Sequence, residues 1–359
     1  MTTSTQPIRA EKLRSEPEIA VGVDNGHGSL KFVISSNSGQ TKVRCPSKFK
    51  EIFEDLSDYS IVREGNYFYY SNGTRKDLIG REFFTGSLAY SAAPSTHIRL
   101  SDNPEYKVEY ALHAILGALS TLPHRNKWNL KVALSIHQSQ LYKKALIEQI
   151  EGEHYVGFTD KFESSSKIAI KVLSVLPEGA GAYAYCRSNL LIDSTQQTIA
   201  FDLGTGTIIW QVFAPGGKLI DRGVLTAGGC IDLMDAIAAT PLIQRYEGGR
   251  TGDIEMIRQG IENSTFNYGT TGINFQDIYA TEVTRWLQNR LSMAVKAVTP
   301  WMRSTGNLVV WGGGAQLPGL AEALKRHRFT AIPNGAWANA IGLQRIAQGL
   351  CDRKRMNHG

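Results

Sequence analysis

The sequence predicts an α/β protein of two lobes with a ligand cleft between them. Two observations carry that expectation. An apolar strand ending in an acidic residue, a glycine-rich turn and a second strand occur at Ile19–Ile34 and again at Ile199–Phe213. A unit repeated about 180 residues further on implies duplicated lobes whose turns face each other. The chain is also long enough, at 359 residues with 42% hydrophobic content, to close two cores rather than one.

Taken in order, the stretch Met1–Pro17 is polar and lacks the apolar core of a signal peptide, so 1–17 reads as a disordered tail. After the first unit, Thr41–Pro46 gives a third strand that its proline stops. Residues 47–100 read as irregular, apart from a strand Tyr67–Tyr70 entering a turn at Ser71–Thr74 and a core pair, Phe83 and Phe84. Tyr106, Val108, Tyr110–Leu112, Ile115, Leu116 and Leu119 recur at helical spacing, closed by Pro123. Leu130–Ile136 is a buried strand, Gln138–Ile150 a helix, and Tyr155–Phe158 and Lys167–Val175 are further strands. The next strand element stops at Pro177 with Glu178 at its end, and small residues open a helix through Ala184–Leu191.

In the second unit Pro215–Gly217 gives the next reversal, since glycine supplies the positive φ of a tight hairpin. Gly228 and Gly229 then open a helix toward Ile237. Arg245–Gly252 reads as a loop, Ile254–Gly260 as a short helix, and Asp277–Thr299 as a long amphipathic helix ended by Pro300. A buried strand from Asn307 runs into Gly312, Gly313 and Gly314. A helix Pro318–Arg326, a strand Thr330–Ile332 and a helix Ala336–Leu350 complete the chain, and Ala338, Ala340 and Gly342 suit that last helix to tight packing between lobes.

Chemistry concentrates at the turns. Gly26, Gly28, Gly204 and Gly206 allow a ligand close to the backbone, and successive amides of such turns can converge on an anion. Asp24 and Asp202 at the turn mouths suit a metal ion held by phosphates, with Ser29 and Lys31 within reach. One Asp-x-Gly-x-Gly alone is equally an ordinary hairpin; the second copy favours the ligand. Glu178 is either a carboxylate that positions or deprotonates water or a first-turn glutamate favoured by the helix dipole. The Gly228–Gly229 helix start can face an anion, and Gly312–Gly314 suggests backbone lying against something flat or phosphorylated. His27, alone in its loop, reads as a surface residue rather than an acid–base group.

Asp24 with its turn, Pro-Glu178-Gly, Asp202-x-Gly-x-Gly-Thr and Gly312-Gly-Gly stand in a fixed order that resembles the actin, sugar kinase and heat-shock chaperone ATPase superfamily. Within it, the chain looks most like the bacterial ParM/StbA plasmid-segregation group, from about residue 19 to 350. The resemblance implies an actin-like, ribonuclease H-like fold of duplicated mixed sheets flanked by helices. Domain I would comprise 18–178 plus 335–352 and domain II 179–334, leaving 353–359 as a polar tail. It implies ATP or ADP with Mg²⁺, the ion held by Asp24 and Asp202 through water. Asn25, Gly26, His27, Gly28, Ser29 and Lys31 would surround the phosphates, completed by Gly204, Thr205, Gly206 and Thr207. Gly228 and Gly229 would lie near the ribose, and Gly312, Gly313, Gly314 and Ala315 under the adenosine. Glu178 would align the attacking water, with Asp202 the second catalytic residue. His137-Gln138 stands where relatives commonly carry Gly-Leu-Pro, which leaves that turn's form open.

The resemblance further implies self-assembly into filaments that segregate DNA through a DNA-bound adaptor; a non-polymerising ATPase and a small-molecule kinase are the alternatives on the same fold. The net charge of +6 is compatible with direct DNA contact, but Lys325–Arg328 and Arg353–Arg355 accompany no nucleic-acid motif and read as solvated surface. No apolar run approaches 18 residues, so no membrane partner is expected. Four scattered cysteines read as reduced thiols of a cytoplasmic protein.

Overall fold

A computed structural model of the chain describes residues 17–36, 39–54, 65–159 and 165–358. The expected tail at 1–17 falls, but for its last residue, outside the described residues. The first sheet is built from β1 (Ile19–Asn25), β2 (Ser29–Ser36), β3 (Gly39–Pro46), β4 (Lys48–Ile52), β5 (Tyr67–Gly73), β6 (Arg81–Thr85), β7 (Ile98–Arg99), β8 (Lys127–Ile136), β9 (Gly152–Gly157) and β10 (Ser165–Pro177). Their order across the sheet is β3-β2-β1-β8-β10-β9-β5-β6-β4-β7. The second sheet, in the order β13-β12-β11-β14-β15, uses β11 (Gln197–Leu203), β12 (Ile208–Phe213), β13 (Leu219–Leu225), β14 (Thr305–Trp311) and β15 (Thr330–Ala331).

The duplication is one of geometry as well as sequence. β1 pairs antiparallel with β2 and parallel with β8, while β11 pairs antiparallel with β12 and parallel with β14. Each acid-bearing strand is therefore central and covered on both faces, which is why both read as continuous apolar runs rather than alternating ones. In β1, Ile19, Val21 and Val23 face a core shared with the apolar helix α3 (Ala111–Ser120), and Ala20 faces Leu343 and Ala347. In β11, Ile199, Phe201 and Leu203 face the helices of the second lobe, and Ala200 faces Trp311 and Ala338.

The remaining helices are α1 (Gly86–Ala92), α2 (Tyr106–Glu109), α4 (Ser139–Ile150), α5 (Ala180–Ser188), α6 (Cys230–Ala238), α7 (Pro241–Tyr246), α8 (Ile254–Glu262), α9 (Gln276–Trp286), α10 (Ser292–Val298), α11 (Leu320–Arg326) and α12 (Gly335–His358). α5 and α12 cross with their backbones almost touching. A Cβ on Gly342 would lie 1.8 Å from the Gly181 carbonyl oxygen, so neither crossing point tolerates a side chain.

Several elements differ from expectation. Within 47–100, the described residues form β4, β5, β6, β7 and α1 at the far end of the first sheet, a region whose pairings are too long-range to read locally. β5 runs through the expected turn to Gly73 because Asn72 and Gly73 pair with β9. The helix expected over 106–119 is two, divided at Tyr110. The long helix is continuous from Gln276 to Val298 but includes a π turn at Leu287–Leu291. Arg245 and Tyr246 belong to α7 rather than to a loop, and α12 extends to His358, so the stretch read as a polar tail is helical as far as that residue. The turn left open before α4 contains Gln138 at φ +44°, a left-handed residue where glycine would be easier. Cys45, Cys186, Cys230 and Cys351 are buried and unbridged. No helix among the described residues is long and apolar enough to cross a membrane.

Candidate functional site

The two glycine turns meet. A Cβ on Gly28 would fall 2.3 Å from Thr205 Oγ1, and one on Gly206 would fall 3.1 Å from His27 Nδ1. Between the turns opens a cavity of about 300 Å³. From the first turn, Asp24, Gly26, His27, Gly28, Ser29 and Lys31 line it; from the second, Asp202, Gly204, Thr205, Gly206 and Thr207. Glu178, at the end of β10, reaches the same space, as do Gly312, Gly313 and Gly314 after β14. Gly313 is open on its outer side, whereas Gly314 is packed against Leu203 and Cys230.

Four expected residues do not line the cavity. Asn25 is buried and donates its side-chain amide to the Lys107 carbonyl, 3.1 Å away. Ala315 is buried in the second core. Gly228 and Gly229 accept the Trp286 indole N–H at 3.0 and 3.2 Å. Gly229 is pressed onto the second turn, where an added Cβ would sit 2.4 Å from the Thr205 carbonyl oxygen. Its lack of a side chain serves loop packing. His27 corrects its sequence reading: it is half-buried in the cleft because its turn faces Gly206.

Electrostatics sort the acids. Burial first, then the negative charges of Asp24 and Glu178, push the Asp202 carboxyl up to about 7. Burial also acts to raise Glu178, but the adjacent Lys107, with His137 and Arg222, outweighs it and holds that carboxyl below its ordinary value. Lys107 Nζ lies 2.6 Å from Glu178 Oε1. Lys31 Nζ lies 3.9 Å from Asp24 Oδ2. Burial and then the Lys107 charge lower His27 to about 4, so it is neutral at pH 7. Asp202, crowded by the like charges of Asp24 and Glu178, is the carboxylate whose surroundings fit a cation. No group of three His, Cys, Asp or Glu among the described residues could hold a metal by itself, so the fit is to an ion completed by water and anionic ligand oxygens.

Residues 22–181 match the family described as actin-like proteins, N-terminal domain. The fold matches solved actin homologues over more than nine-tenths of the chain. The chain has an actin-like fold. The actin-like protein Alp7A aligns at TM-score 0.73 and 15% identity, covering 95% of this chain and 99% of that one. A ParM from Clostridium botulinum, in a 15-stranded filament, aligns at 0.65 and 18%, covering 92% and 99%. The archaeal actin homologue Ta0583 in complex with ADP aligns at 0.68 and 16%, covering 92% and 99%. No curated protein matches by sequence.

The actin-like cleft also contains residues that local patterns did not indicate. Asn339, in the first turns of α12, donates to Asp24 Oδ1 at 3.0 Å and to Ser135 Oγ at 2.8 Å, while its own oxygen accepts from the Ala182 N–H at 3.3 Å. It thereby ties the first acid to the α5–α12 crossing. At the other end, Arg258, Ile261 and Glu262 of α8 line the cavity together with Arg44 of β3. Arg44 bonds both Ser29 Oγ (3.2 Å) and Glu262 (2.6 Å), bridging the first turn to the second lobe. Lys48–Glu255 at 3.1 Å and Tyr90–Asp253 at 2.5 Å add to this bridge, and Arg258 pairs with both Glu255 and Glu262. The one local signal at Asp253 is its helix cap, where its side chain accepts from the amides of Glu255 and Met256; nothing local marks its cross-lobe partners.

Proposed function

We propose that this chain binds ATP or ADP with Mg²⁺ in the cleft, hydrolyses ATP, and assembles with copies of itself into filaments. The observation that carries the reading is the meeting of two Asp-and-glycine turns on one cavity, with Glu178 on its wall and the backbone of Gly313 open beside it. The nucleotide would lie between domain I (18–178 plus 335–352) and domain II (179–334). Gly26, Gly28, Ser29 and Lys31 on one side and Gly204, Thr205, Gly206 and Thr207 on the other are the groups for the phosphates. Gly312–Gly314 would underlie the adenosine.

Asp24 and Asp202 would hold Mg²⁺ through water, and the bound ion would neutralise phosphate charge. Asp202 favours that arrangement because its carboxylate is otherwise crowded by like charge. Glu178, held ionised, accepts a hydrogen bond from water and orients it; phosphoryl transfer requires little more than positioning and charge stabilisation. Asn25, Gly228, Gly229 and Ala315 serve by fixing the loops that carry these groups.

Filament formation is favoured by the likeness to a chain solved as a filament, and nucleotide binding by the likeness to one solved with ADP. We further propose that the filament segregates DNA through a DNA-bound adaptor, direct DNA contact by the exposed Arg353–Arg355 end being a weaker option. Calorimetric titration with ATP and ADP, with and without EDTA, tests the binding reading, and phosphate release tests hydrolysis. Binding that weakens sharply in EDTA, with steady phosphate release from Mg-ATP, is expected. A protein that binds neither nucleotide contradicts the proposal.

A further inference from the structure

Glu178 has a cation beside each of its oxygens, one of them hydrogen-bonded. Lys107 Nζ donates to Oε1 at 2.6 Å, and Arg222 Nη2 stands 3.6 Å from Oε2. The Glu178 carbonyl accepts from Gln211 Nε2 at 3.0 Å, so backbone and side chain are both fixed. Lys107 is only 5% exposed and lies on the short helix α2, far in sequence from Glu178. Its carbonyl takes the Asn25 amide, which ties it to the residue after Asp24, and its ammonium lines the cleft. Burying a lysine costs several kcal/mol of solvation, and an ion pair in such a place is a weak source of stability. Its cost is better explained by what it holds still.

We infer that Lys107 is a positioning residue for hydrolysis, fixing the Glu178 carboxylate in the orientation that accepts a hydrogen bond from the attacking water. This rests on the ATP-hydrolysing reading above. A carboxylate neutralised by two cations is a poor proton acceptor but a good fixed acceptor of hydrogen bonds. It therefore aligns the water without taking its proton. In the step served, the water oxygen bonds to the terminal phosphorus as the bond from that phosphorus to the bridging oxygen breaks. The electron pair leaves with the nucleoside diphosphate, and the water's protons end on inorganic phosphate and solvent.

The test compares wild type, Lys107→Met, Lys107→Arg, Glu178→Gln and the double variant Lys107→Met/Glu178→Gln. The readouts are kcat and KM for phosphate release, affinity for a non-hydrolysable ATP analogue, and melting temperature. Lys107→Met should lower kcat about tenfold or more while KM and analogue affinity stay within about threefold. Lys107→Arg should recover part of the loss. The double variant leaves neither Lys107 nor Glu178 as an unpaired charge and should be no slower than Glu178→Gln alone, the non-additivity of groups acting as one unit. Wild-type kcat in Lys107→Met, or losses that multiply in the double variant, would overturn the inference while leaving the hydrolase reading intact. A wild type that releases no phosphate would overturn the reading, and the inference with it.

Discussion

Because burial and the charges of Asp24 and Glu178 raise the Asp202 pKa from 3.8 to about 7, the folded chain favours the protonated carboxyl and pays nothing for it only in acid. The stabilising contribution of that proton is complete below about pH 4 and is lost as pH rises through about 7. Asp202→Asn should therefore melt higher than wild type at pH 8 in EDTA, by a few degrees, with the gap closing toward pH 5. With Mg²⁺ and nucleotide the order should reverse. A gap independent of pH would mean that the carboxyl is not perturbed as described. Glu178→Ala should keep nucleotide binding but slow phosphate release about a hundredfold or more, the scale of a lost proton-handling or water-orienting group. The two aspartates and their glycines were legible because each lies inside one hairpin, β1–β2 or β11–β12. Lys107 and Asn339 were not, since their partners are 71 and 315 residues away and no local spacing encodes such contacts. His27 was misread for the same reason: its neighbour Gly206 belongs to the other unit.

α8 acts as a bridge between lobes. Burial tends to raise the Glu255 carboxyl, yet the hydrogen bond and charge of Arg258, with Lys48, hold it at about 2. A depressed carboxylate stabilises fully above about pH 4.5 and loses that contribution as pH falls toward about 2. Glu255→Gln should cost about 1.5–3 kcal/mol at pH 7, as expected for hydrogen bonds to a charged group. Calorimetric melts at pH 7, 5 and 3 should show the difference from wild type shrinking as acid protonates the native carboxyl; a constant difference would argue against the ion-paired bridge. The α5–α12 crossing gives a sign test. Alanine is favoured over glycine in a helix by about 1 kcal/mol, but a Cβ at 342 collides with the Gly181 carbonyl, and overpacking costs about 1–3 kcal/mol. Gly342→Ala should lower the melting temperature, and a rise would refute the contact. The small residues of α12 were readable as a packing face, whereas the helix's continuation to His358 and the break at Tyr110 answer to tertiary packing that propensity does not carry.

At the scale of the whole molecule, two sheets built on the same strand plan set their acid-bearing turns against one cavity, and α12 ties the first turn to the crossing beneath it. A bound nucleotide would touch both lobes at once, so its hydrolysis could alter how the lobes sit and, in a filament, how neighbours hold together. The repeat of the strand–acid–turn unit was legible as two lobes, but the far end of the first sheet was not, because β4, β6 and β7 are short and, among the described residues, take one another and β5 as their sheet partners. The proposed filament would turn over as ATP is hydrolysed in this cleft. Right-angle light scattering after addition of Mg-ATP, with phosphate release followed in the same sample and Glu178→Ala in parallel, tests it most directly. Scattering should rise only with nucleotide, decay in wild type as phosphate appears, and persist in Glu178→Ala. Steady phosphate release with no change in scattering would contradict it.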